Sequence, residues 1–198
     1  MSSKSCTKLA LTILFAALAV PSPAQVAPSA TAGGGWTIAA GGGPSYFHMN
    51  YGDGEEWGGT LWVDVNINKG PSFLRGLGGE MEARDLSIDR APTLPDDMRT
   101  DTLGGGPIYT WRHFPRFRPY AKVLVSYGSL DISKHNYHYT WILYSPGAGI
   151  EYRPFGNVWV RADYEYQVWP QLFTPKWSYN PDGVTVGAMY EFGHHRRH

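Results

Sequence analysis

The 198-residue chain balances 17 Lys and Arg against 17 Asp and Glu, so no basic surplus points to nucleic acid. Its single cysteine, Cys6, leaves neither a disulfide framework nor a thiolate metal site. Eight Trp, 13 Tyr and 24 Gly at only 42% hydrophobic residues suit a β-barrel with aromatic girdles better than a packed α/β core.

In chain order, Lys4 and Lys8 precede an apolar run from Leu9 to Val20, and Ser22 and Ala24 are small residues placed for signal-peptidase cleavage. Residues 1–24 are predicted to be a secretory signal peptide, too short in its apolar part for a spanning helix. Its removal takes two lysines and no acids, leaving 15 basic against 17 acidic residues. Residues 25–35, rich in Ala, Pro, Ser and Gly, read as a flexible lead-in.

Eight strands follow, predicted over Trp36–Phe47, Gly58–Asn68, Leu77–Asp89, Asp101–Arg112, Pro119–Ile132, Trp141–Arg153, Val158–Trp169 and Gly183–Phe192. The second sets Leu61, Val63, Val65 and Ile67 against Trp62, Asp64, Asn66 and Asn68. The fifth sets Ala121, Val123, Val125 and Tyr127 against Tyr120, Lys122, Leu124 and Ser126. In the seventh, Val158, Val160, Ala162, Tyr164, Tyr166 and Val168 oppose Trp159, Arg161, Asp163, Glu165 and Gln167. The last places Val184, Val186, Ala188, Tyr190 and Phe192 on one face. One face therefore meets lipid and the other water or ion pairs. The first and fourth strands, with Gly41–Gly43 and Gly104–Gly106, have no register legible in the pattern.

Connections alternate in character. Those at Met49–Trp57, Arg90–Thr100, Ser133–Thr140 and Pro170–Asp182 are long and irregular, whereas Lys69–Gly76, His113–Arg118 and Pro154–Asn157 are turns. Longer connections at one end and mostly shorter ones at the other suit an outer-membrane barrel with both termini in the periplasm.

The signal peptide, Gly58-Gly-Thr-Leu-Trp-Val-Asp-Val, Arg118-Pro-Tyr-Ala-Lys-Val, Pro146-Gly-Ala-Gly-Ile-Glu-Tyr-Arg, Val160-Arg-Ala-Asp-Tyr-Glu-Tyr-Gln and the closing Gly183–Phe192 segment carry a resemblance. Over Trp36–Phe192 the chain resembles the small eight-stranded outer-membrane β-barrel family related to the transmembrane domain of outer-membrane protein A. The resemblance implies an all-β, eight-stranded antiparallel up-and-down barrel in outer-membrane lipid. It also implies an assembly signal, Tyr190 and Phe192, read by the barrel-assembly machinery. Here a His/Arg-rich tail, residues 193–198, follows that signal.

The inward face is expected to collect Asp64, Glu80, Glu82, Arg84, Lys122, Glu151, Arg153, Arg161, Asp163 and Glu165 as a structural salt-bridge network, because an eight-stranded lumen has room only for side chains. Unpaired charges there would cost several kcal/mol or more. No catalytic residue, metal or cofactor is expected. His135 and His138 read as a solvated loop, and the His-x-Ser pattern of lipid A deacylases is absent around them, although Ser133 and Asp131 lie near.

The sequence thus predicts an integral outer-membrane barrel with a plugged lumen and a structural or surface-interaction role. The alternatives are a lipid A modifying enzyme and a soluble lipocalin-like ligand-binding barrel. A loop ligand touching Trp57, Tyr137, Tyr139 and Trp177 stays open.

Overall fold

Strands with one apolar and one polar face satisfy their backbone groups in lipid only by closing on themselves. The computed structural model describes residues 35–50, 54–68, 70–71, 74–90, 98–132, 137–174 and 177–192, and in it the strands close. The signal peptide and the His/Arg-rich tail lie outside the described residues.

The elements are β1 (Trp36–His48), β2 (Glu55–Ile67), β3 (Leu77–Arg90), β4 (Met98–Thr110), β5 (Phe117–Ile132), β6 (Tyr137–Phe155), β7 (Val158–Tyr166), β8 (Trp169–Thr174), β9 (Trp177–Tyr179) and β10 (Asp182–Phe192). Eight of them form a closed antiparallel barrel in the order β1-β10-β7-β6-β5-β4-β3-β2, and β8 and β9 pair separately. Paired residues traced once around the wall run Thr37, Asn66, Gly78, Ile108, Lys122, Gly147, Glu165, Gly183 and back to Phe47 on β1. The path returns ten residues from its start, a shear that tilts the strands by about 35–45°.

The facing read from alternation holds in β2, β5, β7 and β10. Leu61, Val63, Val123, Val125, Tyr127, Val160, Tyr164, Val184, Val186 and Tyr190 are exposed, and Trp62, Asp64, Lys122, Leu124, Arg161, Asp163 and Glu165 are buried. An apolar exterior around a charged interior is the reverse of a lipocalin, which removes that alternative.

Strand ends differ from expectation on the long-connection side. There β2 begins at Glu55, β4 at Met98 and β6 at Tyr137, so the wall extends beyond the alternating segments and leaves connections of only six, seven and four residues at 49–54, 91–97 and 133–136, against nine at 68–76 on the other side. Only 167–181, which carries the β8–β9 hairpin, is longer there than any turn opposite. The seventh strand stops at Tyr166, not Trp169, and Trp169 opens the β8–β9 hairpin within a segment expected to be irregular. Pairing resumes briefly at Tyr144 and Val168, whose amides and carbonyls bond at 3.1 and 2.8 Å. At the opposite end β6 and β7 join through Gly156-Asn157 alone, with Gly156 at a φ of 53° that a tight hairpin demands.

The glycine-rich strands acquire a register through their neighbours. Inward Gly41 pairs with Trp62, Gly104 with Glu82, Gly106 with Glu80, Gly147 with Lys122, Gly149 with Asp163 and Gly187 with Arg161. Glycines of β1, β4, β6 and β10 thus stand beside the large side chains of β2, β3, β5 and β7. A Cβ on Gly187 would lie 2.7 Å from the Trp62 ring, and one on Gly147 would lie 3.0 Å from Lys122 Cε. Only a missing side chain leaves room for the long polar one opposite.

Candidate functional site

Among the described residues the lumen gathers chemistry-bearing side chains, and β2, β3, β5, β6 and β7 deliver them by inward alternation. Asp64, Glu80, Glu82, Arg84, Lys122, Glu151, Arg161, Asp163 and Glu165 are all buried, while Arg153 is half-buried with its guanidinium 5.3 Å from the Trp159 ring centre.

Lys122 holds the centre. Its Nζ lies 2.9 Å from Glu80, 2.7 Å from Glu82, 2.6 Å from Asp163 and 3.1 Å from Glu165. On one side of it Arg84 bridges Glu82 at 2.6 Å and Glu165 at 2.7 Å, and its Nε donates to Thr60 Oγ1. On the other, Arg161 pairs with Glu80 at 2.6 Å and Asp64 at 3.3 Å, and its Nε donates to the Tyr120 hydroxyl at 2.6 Å. The same guanidinium lies 4.3 Å from the Tyr120 ring centre and 4.9 Å from that of Trp62. Three cations thus share five carboxylates. Glu82, Asp163 and Glu165 bring carboxylate oxygens within 4.8 Å of one another, as a metal would need, but the Lys122 ammonium already stands among them.

The ladder extends beyond these residues at both ends. Toward the long connections, Ser45 links Thr60 at 2.6 Å and Thr185 at 2.8 Å, Phe47 lies 4.3 Å from the Arg84 guanidinium, and Thr100 donates to buried Glu56 at 2.7 Å. Beyond these, Trp169 and Tyr179 from the β8–β9 hairpin pack with Met49, Met98, Leu130 and Leu143 into a buried apolar cluster. Trp169 Nε1 donates to Gln167 at 3.0 Å, and Trp141 Nε1 to the Pro170 carbonyl at 2.6 Å. Toward the short turns, Arg118 bridges Glu191 at 2.6 Å and stacks 3.6 Å over Trp159.

Sequence reasoning missed Glu56, Arg118 and Glu191 as lumen charges. Glu191 stood on the inward face by alternation alone, whereas Glu56 and Arg118 belong to stretches read as loop and turn.

Other candidates scatter. Trp57 faces outward, 4.8 Å from the Tyr46 ring, in a girdle and not at a loop tip. Ser133 and His135 lie outside the described residues, as do the side chains of Tyr137, His138, Tyr139 and Trp177. Tyr190 and Phe192 point outward at the end of β10 with their rings 5.0 Å apart.

A family model for the outer membrane protein β-barrel domain matches residues 10–192. The chain belongs to that family. Neisserial surface protein A is similar in fold, at 17% identity and a TM-score of 0.58, covering 80% of this chain and 98% of that one. Ail, the attachment invasion locus protein of Yersinia pestis, gives 16% identity and a TM-score of 0.55 over 79% and 98%. OprG from Pseudomonas aeruginosa gives 13% and 0.54 over 81% and 97%. No curated protein sequence matches the chain.

Proposed function

We propose that this outer-membrane barrel is a wall protein with a closed lumen, which presents its long connections to the cell surface and turns over no substrate. The observation that carries the reading is Lys122 bound by four carboxylates at the centre of the lumen, with Trp169 buried in an apolar cluster farther along. The three central cations and five carboxylates pair with one another, and a lumen this narrow leaves no continuous water column beside them. Planar-bilayer recording of the purified protein is expected to give no stable, large single-channel steps; such steps from the monomer would replace the wall reading with a pore.

On this reading residues 1–24 are removed during export, both termini and the short turns face the periplasm, and the inward salt-bridge network fixes strand register. Ail has been crystallised in complex with the heparin analogue sucrose octasulfate. The long connections of this chain hold Asp53, Asp96 and Asp97 as well as Lys134 and Lys176, a mixed set without the cationic cluster a polysulfate needs. A surface partner here would be neutral or of mixed charge.

Phe192 and Tyr190 would serve the barrel-assembly machinery as the closing signal. Phe192→Ser is expected to lower the outer-membrane yield and raise periplasmic degradation, while deletion of residues 193–198 leaves heat-modifiable migration on gels intact. The opposite pattern would move the signal elsewhere.

A further inference from the structure

The three connections at the end of the barrel that holds Trp36 and Phe192 (residues 68–76, 111–116 and 156–157) contain no acidic residue, and with the adjoining strand ends Phe117-Arg118 and Arg153–Phe155 they carry Lys69, Arg75, Arg112, Arg116, Arg118 and Arg153 and neither Asp nor Glu. Backbone bonds set them side by side. Thr110 N donates to the Gly76 carbonyl at 2.8 Å and Arg153 N to the Arg116 carbonyl at 2.9 Å, while Arg112 reaches Asn68 at 2.6 Å. Arg118 is neutralised by Glu191, but Arg75 and Arg116 are exposed. Arg75 bonds only a carbonyl, that of Gly70 at 3.1 Å, among the described residues.

Interleaved with these cations are apolar rings. The middle connection reads Trp111-Arg-His-Phe-Pro-Arg-Phe-Arg118, and Trp111, Phe114, Phe117 and the nearby Phe155 are all exposed. Phe114 touches His113 and Phe117 edge to face at 5.2 and 6.4 Å, so the rings cluster without being covered. Exposed rings belong at the boundary of headgroups and acyl chains, and cations beside them at the depth of lipid phosphates.

We propose that this basic and aromatic rim binds anionic phospholipid headgroups of the periplasmic leaflet, with Arg75 and Arg116 pairing with phosphate and Phe114, Phe117 and Phe155 seated in the layer beneath. The leaflet assignment rests on the periplasmic orientation of the short turns given above. A cell-wall glycan would meet the charges but offer the rings no apolar cover, so lipid is the occupant the surface favours.

The test is the selectivity of spin-labelled phosphatidylglycerol over spin-labelled phosphatidylcholine for the full chain refolded in phosphatidylcholine vesicles. The protein is expected to prefer phosphatidylglycerol about threefold, with the preference falling to parity in Arg75→Gln/Arg116→Gln and in high salt. Both residues are exposed and outside the lumen ladder, and heat-modifiable migration on gels verifies that the double variant folds. Equal association of the two lipids, or a preference that survives the double substitution, overturns the proposal, as does cosedimentation with isolated cell wall, lost in the double variant, without lipid selectivity. Orientation is read separately with His113→Cys in intact cells. Labelling by a polymer-linked maleimide too large to pass outer-membrane pores would overturn the leaflet assignment while leaving the vesicle selectivity unchanged.

Discussion

Lys122→Met is expected to destabilise the folded barrel by about 3–5 kcal/mol, the range for breaking a buried ion pair by removing one partner. Four carboxylates, Glu80, Glu82, Asp163 and Glu165, lie within 3.1 Å of its Nζ, and after the substitution only Arg84 and Arg161 remain among them. The carboxylates cannot turn to solvent, because each is buried against the opposite wall. Adding Glu82→Gln to Lys122→Met is expected to recover part of the loss, since it removes one charge the ammonium had compensated. The exposed bidentate pair of Arg99 and Asp85, at 2.6 and 3.0 Å, supplies the contrast: Arg99→Ala should cost at most about 1 kcal/mol. Urea unfolding in micelles measures all three. If Lys122→Met fell within about 1 kcal/mol of the wild type, water would be solvating the carboxylates, and the closed-lumen reading would be lost with it.

Ala162→Arg is expected to cost about 2–4 kcal/mol in a lipid bilayer, the value for a cation on the lipid face near the midplane. Ala162 stands midway along β7, paired with Ile150 on β6 and Val186 on β10, so its outward neighbours are hydrocarbon. Tyr164 and Tyr166 lie toward one end of that strand and Tyr190 of β10 toward the other, so an arginine there stands between the two girdles and reaches headgroups only by lying along the wall. The outward charges of Asp85, Arg99 and Asp101 lie toward the long connections, near the end of the wall where such groups are tolerated. Equilibrium unfolding from phospholipid vesicles gives the number. Stability equal to the wild type would mean that the face shared with Val160 and Val186 does not meet lipid.

Facing, strand number and most of the lumen charges were legible because each depends on one strand at a time. A period of two sends Arg161, Asp163 and Glu165 to one side of β7 and Val160, Ala162 and Tyr164 to the other, whatever the neighbours do. Glycine carries no such label. Gly41 and Gly43 of β1, and Gly104 and Gly106 of β4, acquire a face only when the wall closes and sets them beside Trp62, Thr60, Glu82 and Glu80 in turn. The β8–β9 hairpin escaped notice for a related reason, since Trp169 continues the alternation of β7 and is drawn into a cluster with Met49, Met98, Leu130 and Leu143, which four separate parts of the chain supply.

Which charge meets which is decided by closure. Arg84 reaches Glu165 across 81 positions of sequence and Arg161 reaches Asp64 across 97, and both contacts follow from the ten-residue shear that staggers the strands around the axis. Local alternation is a property of a single extended backbone and can be read from residue order. The partner across a lumen is set by the summed register of all eight strands, to which every turn and pairing contributes, so it exists only in the closed tertiary structure.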